Sequence, residues 1–216
     1  MILAISTSGP VASAALVGEG RLLAERFGEE GRAHSEAVMP AVDRVLRETG
    51  TELAALCAIG VDVGPGSFTG VRIGVATANA FGFALNLPVV AVDSLLALRR
   101  GAMGEESVCA LLDARNGNVY AALFLPGQPH SPEAAPLEDV LAKAPEHTLF
   151  LGDGAALHRE RILQTMPGAR FCPDGGLLRA GNVALCAWDK FLAGEVQQEA
   201  LPLYLRPSQA ERVSGQ

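Results

Sequence analysis

Few residues in this 216-residue chain are placed to do chemistry, and they are scattered. His34 with Glu36 suggests a metal site, but a helix-borne zinc motif wants a second histidine one turn on, and that position is Val38. His130, His147 and His158 stand far from it, and most of them read as solvated side chains. Asp93, Asp113 and Asp153 each close a strand-like run. Carboxylates there either hold a metal–nucleotide or cap the next helix or turn, and no spacing rule separates the two. Asp113-Ala114-Arg115 either holds a charged ligand or forms an ion pair bracing a hairpin, with the ion pair favoured. The four cysteines, Cys57, Cys109, Cys172 and Cys186, make no Cys-x-x-Cys pair and sit among apolar neighbours. They read as free, buried thiols of a reducing compartment.

The stretch that organises the rest is Gly64-Pro65-Gly66-Ser67-Phe68-Thr69-Gly70-Val71-Arg72-Ile73-Gly74. An apolar run, Ala58 to Val63, precedes it, and a helical run to Leu85 with one charge, Arg72, follows. Strand, glycine loop, helix is the local reading, with Ser67 or Thr69 as the helix cap. A glycine turn feeding a helix N-terminus can hold phosphate. Here the Walker lysine is missing, because Val71 follows Gly70, and Thr69 breaks the Gly-x-Ser-x-Gly elbow. A structural turn is preferred to a nucleotide cradle. Gly70, Gly74, Ala78 and Gly82 recur every four residues, a small-residue stripe along one face. Each interior glycine costs about 1 kcal/mol against alanine, so close approach of another backbone must offset it. The helix is apolar nearly all round, and is therefore either a central core helix or one shared with a partner.

Composition narrows the classes. The chain is 49% hydrophobic, with formal net charge −7, so nucleic acid phosphates are poor partners for it alone. The start has no basic n-region and no apolar run was expected to approach membrane length, which points to the cytoplasm. In order, Ile2–Thr7, Ala12–Val17 and Arg21–Phe27 read as an antiparallel meander, followed by a helix from His34 to a stop at Gly50. Pro40 either marks where that helix becomes regular or distorts its first turns. Then come strand 58–63, the glycine helix, strand 88–93 and a helix capped by Ser94. This is the order of a ribonuclease-H-like unit.

The sequence from Gly101 to Glu106 is the best internal boundary, dividing units 1–105 and 106–216. The second unit opens with strand 108–114, an Asn116-Gly117 turn and return strand 119–125. A Pro-rich connection, 126–136, leads to helix 137–143, strand 149–151, helix 155–166 and a last helix near 181–192. The expected fold is a duplicated α/β one with an abbreviated second copy, an extended segment at 201–207 and a disordered end.

Val63 to Gly74 resembles the signature of the bacterial TsaB family, also called YeaZ. Further matches are Ile2-Leu3-Ala4-Ile5 with Thr7-Ser8, His34-Ser35-Glu36 with Pro40, Asp113-Ala114-Arg115 with Val119-Tyr120, and Pro202-Leu203-Tyr204-Leu205-Arg206. The resemblance thus spans nearly the whole chain. It implies an actin/Hsp70-like (ASKHA) duplicated fold and a part in making threonylcarbamoyladenosine on tRNAs that read A-starting codons. It also implies a non-catalytic subunit in the cytoplasm, with no catalytic, cofactor or metal residues of its own. Its partners would be the catalytic paralogue TsaD and the ATPase TsaE, with a homodimer when alone and little direct tRNA binding. The His-x-x-x-His metal motif of the paralogue is absent, as Val38 agrees. The family pairs through its first two helices, which makes His34, Glu36, Val38, Val42, Gly70, Val71, Gly74, Val75 and Ala78 the interface candidates. Nucleotide could sit at the shared interface. Ser6 departs from the pattern, since the family usually has an aspartate before Thr-Ser, and this weakens any case for ATP chemistry. The competing expectation is an ATP- or metal-dependent enzyme, kinase-like or peptidase-like, on the same fold.

Overall fold

The computed structural model describes residues 1–205 except 30, 103, 105, 174 and 175. Two five-stranded sheets form the frame. The first has strands β1 (Ile2–Ser6), β2 (Ser13–Gly18), β3 (Arg21–Phe27), β4 (Ala58–Asp62) and β5 (Val89–Val92), in the order β3-β2-β1-β4-β5. The second has β6 (Val108–Asp113), β7 (Asn118–Phe124), β8 (Glu133–Pro136), β9 (Leu149–Leu151) and β10 (Arg170–Phe171), in the order β10-β9-β6-β7-β8. Read outward from β1 and from β6, the two orders are the same. In each, an antiparallel meander is extended by two parallel strands. The duplication expected from the sequence is therefore real. Strand β8 lies inside the connection expected to be irregular, where Glu133-Ala134-Ala135-Pro136 carries no alternating apolar pattern to reveal it.

The abbreviation lies in element length, not number. Helices α1 (His34–Thr49) and α2 (Phe68–Leu85) have 16 and 18 residues. Their counterparts are α4 (Leu137–Leu141), of 5 residues, and the pair α5 (Asp153–Leu157) and α6 (Arg159–Thr165), of 5 and 7. The single helix expected over 155–166 is thus two, broken at His158. Helix α1 passes through Pro40 and stops at Gly50, whose φ of +62° is a left-handed cap. Helix α3 (Ser94–Arg100) is capped by Asp93, whose carboxylate accepts from Leu95 N at 2.7 Å and Leu96 N at 3.1 Å, and not by Ser94 as expected.

Five layers result. Helices α1 and α2 cover one face of the first sheet, where Leu3, Ile5, Leu16 and Ile59 meet Val38, Val42, Val71 and Val75. Its other face shares a core with the second sheet through α3 and α7 (Ala180–Leu192). Helices α4 to α6 close the far side. The two halves are therefore interlocked: α3, which follows the first sheet, packs on β6 and β7, and α7, which follows the second, packs on β1, β2 and β4. Glu25 of β3 helps to fasten this exchange. Its carboxylate pairs with Arg179 and accepts from Gly181 N at 2.7 Å, while Ser13 Oγ accepts from Ala180 N at 2.9 Å. The first turn of α7 is thus satisfied by the opposite half. Part of the boundary at 101–106, and the chain beyond Leu205, lie outside the described residues.

By length and composition α2 is apolar enough to cross a membrane, which corrects the expectation that no run approaches that length. Its inner stripe nonetheless packs on the chain's own sheet.

Candidate functional site

The polar groups gather where β1 and β4 end. Asp62 closes β4 with no solvent exposure, and Ser6, Thr7, Ser8 and Ser94 around it are buried too. Its carboxyl accepts from Ser6 Oγ at 3.1 Å, from Thr7 N at 3.2 Å and, in a very short bond, from Ser8 Oγ. Ser8 Oγ also meets Ser94 Oγ at 3.0 Å. Burial raises the Asp62 carboxyl above its ordinary 3.8, and these hydrogen bonds offset only part of that.

The β1–β2 turn is gripped from every side. Ser67 N donates to Ser8 O at 2.8 Å, Thr7 Oγ1 donates to Gly70 O at 2.7 Å, and His34 Nε2 donates to Gly9 O at 2.9 Å. His34 is thus a strut between α1 and this turn. The glycine loop fills the remaining space. A Cβ on Gly66 would stand 2.6 Å from Ser8 O, and one on Gly64 (φ +99°) would stand 2.9 Å from Leu203 O. The loop is therefore sandwiched between the β1–β2 turn and the C-terminal segment, and the structural turn preferred from the sequence is what forms. Ser67 caps α2, accepting from Gly70 N at 3.3 Å.

The small-residue stripe points inward. A Cβ on Gly70 would collide with Thr7 O, one on Gly74 with Thr7 Oγ1, and one on Gly82 would stand 2.7 Å from Val89 Cγ2. Gly70, Val71, Gly74, Val75 and Ala78 are all buried, as are Val38 and Val42 of α1. This corrects their reading as a face free to meet a partner: the helix needs those positions small to reach β1 and β4. Of the nine interface candidates, only the exposed Glu36 and half-buried His34 reach the surface. The outward face of α2 is instead Phe68, Thr69, Arg72, Ala76, Ala80, Phe83 and Ala84, with Phe83 92% exposed. On α1 it includes Glu36, Met39 and Pro40.

In the second half, Asp113 and Asp153 meet at the ends of β6 and β9. Asp113 N donates to Asp153 Oδ1 at 3.0 Å, and the Asp113 carboxylate accepts from Arg115 N at 2.8 Å. The brace is a side-chain-to-backbone bond, not the Asp113–Arg115 ion pair expected. Partial burial raises the Asp153 carboxyl, and the like charge of Asp113 adds to this. All three strand-end aspartates singled out from the sequence thus bind backbone. Asp62 was passed over, although a lone carboxylate in an otherwise apolar strand beside Ser6-Thr7-Ser8 was the available signal. His158 also departs from expectation, since its Nε2 is buried without a partner. Among the described residues no three His, Cys, Asp or Glu side chains stand close enough to hold a metal ion.

Residues 28–162 match the family described as TsaD, tRNA N6-adenosine threonylcarbamoyltransferase. The Bacillus subtilis protein called tRNA threonylcarbamoyladenosine biosynthesis protein TsaB is 34% identical over 170 residues, 74% of each chain. The structure of YeaZ from Pseudomonas aeruginosa, 33% identical, superposes with a TM-score of 0.81 over 94% of this chain and 99% of that one. Ethanolamine utilization protein EutJ from Carboxydothermus hydrogenoformans, 13% identical, covers 85% of this chain and 88% of its own at a TM-score of 0.55. That last likeness speaks for the fold alone, which is the ASKHA fold.

Proposed function

The chain belongs to the TsaB (YeaZ) family of tRNA threonylcarbamoyladenosine biosynthesis proteins, and from that premise we propose that it is a non-catalytic subunit which docks on and activates a TsaD-type paralogue. The observation that carries this reading is the sealed polar cluster where β1 and β4 end. The resemblance puts Ser6 in place of the family's usual aspartate, and the nearby carboxylate, Asp62, is sealed by three donors from the end of β1 and the turn after it. The glycine loop is packed on both sides by the chain itself. Groups held this way are structural: none is free to receive a phosphate or to hold an attacking water.

Docking uses the outward faces of α1 and α2. Ala76, Ala80 and Ala84 leave α2 low enough for another helix to lie close, and Phe83 supplies an exposed ring beside them. The same face can pair two copies when the paralogue is missing. A TsaE-type ATPase joins the pair, nucleotide sits at the shared interface if anywhere, and tRNA is held chiefly by the partner because this chain is acidic.

The test mixes the purified chain with the paralogue, with and without nucleotide, and reads both complex formation and threonylcarbamoyladenosine on tRNA. A complex is expected, with modification requiring both proteins. Turnover of ATP or peptide by the chain alone, abolished by changing Asp113 or Asp153, favours the enzyme reading instead.

A further inference from the structure

The outward face of α2 is apolar except for Thr69 in its first turn and Arg72, its one charge. Arg72 is exposed there, with its guanidinium 4.0 Å from the centre of the Phe68 ring and 5.8 Å from that of Tyr204. The two rings stack with centroids 5.0 Å apart, and Arg72 Nε donates to the Tyr204 hydroxyl at 2.8 Å. That bond occupies one edge of the fork and leaves the two Nη groups. Arginines of β3 and α1 have carboxylates: Arg26 pairs with Glu48, Arg44 with Glu29 and Arg47 with Asp43. Arg72 pairs with none among the described residues, in a chain of net charge −7.

Its second ring arrives from far along the chain. The C-terminal segment bridges Val89 through Gln197, exchanges two bonds between Ala200 and Asn79, and donates from Leu203 N to Val63 O at 2.7 Å. Only then does Tyr204 reach α2. Much backbone ordering thus ends in holding one exposed guanidinium in a fixed plane, and the described residues offer that group no anion.

We propose that Arg72, clamped by Phe68 and Tyr204, is a preformed receptor for an aspartate or glutamate of the protein that docks on α2. This rests on the docking reading above and names the chemistry of the partner surface: a carboxylate set among apolar side chains. A planar fork matches a carboxylate with two parallel bonds, which an ammonium cannot do. Stacking removes rotamer freedom in advance, so less is lost on association. Arginine and tyrosine within an interface are also the residue types that dominate binding energies. A nucleic acid backbone fits this face less well, because it needs several cations along a track and α2 carries one.

The experiment measures affinity for the TsaD-type paralogue by calorimetry at two ionic strengths, using wild type, Arg72→Ala, Arg72→Lys and Tyr204→Phe, with a melting curve for each variant alone. Arg72→Ala should bind at least about tenfold more weakly at unchanged melting temperature, and Arg72→Lys should recover little of the loss. Tyr204→Phe, which keeps the ring and frees Nε, should fall between them. The salt dependence of wild-type binding should flatten in Arg72→Ala. Affinities within about twofold of wild type for both Arg72 variants overturn the proposal. So does titration of tRNA into the isolated chain if binding is found and is lost with Arg72, since the group is then a phosphate contact. Failure of the wild type to bind the paralogue at all removes the docking reading first, and this inference with it.

Discussion

The two halves of the molecule have one strand order and two different outcomes at the strand ends. In the first half, α2 runs 18 residues and its glycines press it onto the end of β1, where Ser6, Thr7 and Ser8 seal Asp62. In the second half, the shorter α5 makes the same approach. A Cβ on Gly152 would collide with Leu111 O, and one on Gly154 would stand 2.9 Å from the carbonyl carbon of Leu112. There the carboxylates stay partly accessible, with Asp153 exposed and Asp113 half-buried. Close helix–strand approach is thus common to both halves, and burial of charge is not. What differs is what closes over the carboxylate: two serine hydroxyls and the Thr7 N–H at Asp62, and backbone N–H groups at Asp153.

The largest effects should come from breaking the shared approach. Gly70→Ala and Gly152→Ala each drive a methyl group into a backbone carbonyl, and each should cost about 3 kcal/mol or more. Denaturant midpoints decide it. A large loss at one glycine and none at the other would mean that the halves are not built alike.

The two faces of α2 separate next. Ala78→Leu overpacks the buried side and should destabilise the chain by roughly 1–3 kcal/mol. Ala80→Leu, on the exposed side, should leave stability within about 0.5 kcal/mol while blocking the paralogue. Melting curves beside pull-downs give the answer, and a folded Ala80→Leu chain that binds normally moves the interface off α2.

A smaller contrast lies in pH dependence. The unfolded chain loses the Asp62 proton near 3.8, whereas burial makes the folded chain keep it to higher pH. The stability this group contributes is therefore full below that value and falls as pH rises through the raised folded one. Asp62→Asn should flatten the decline, and Asp153→Asn should do so less, because its carboxyl is only partly buried. Asp93 is raised in the same sense and leaves a residual slope. Stability measured across acidic pH would remove Asp62 from this account if variant and wild type ran parallel.

The smallest effect concerns the thiols. None of the four is in a disulfide, but only Cys109 and Cys186 are buried, with burial pushing them up to about 12 and about 11. Cys57 and Cys172 are half-buried, which modifies the expectation of four core thiols. A thiol reagent should therefore label two sites quickly and two only on unfolding. Four slow sites would show that Cys57 and Cys172 are better protected than their exposure suggests.

The sequence alone determined most of the elements and their order, with β8 and the break at His158 as exceptions. Apolar runs of strand length, an Asn-Gly turn and glycines at helix ends act through local sterics and solvation, so they could be read without the fold. The same holds for the family motif from Val63 to Gly74, and for the small stripe on α2 as a mark of close approach. It could not say what the stripe approaches. Spacing defines a face of a helix, but only the packing of α2 on β1 and β4 decides that Gly70 and Gly74 look inward and Ala76 and Ala80 outward. Nor could it rank the aspartates. Asp62, Asp93, Asp113 and Asp153 look alike at their strand ends, and their difference is one of burial. That depends on which groups the fold brings over each carboxylate, and at Asp62 these are Ser6, Thr7 and Ser8, more than fifty positions away.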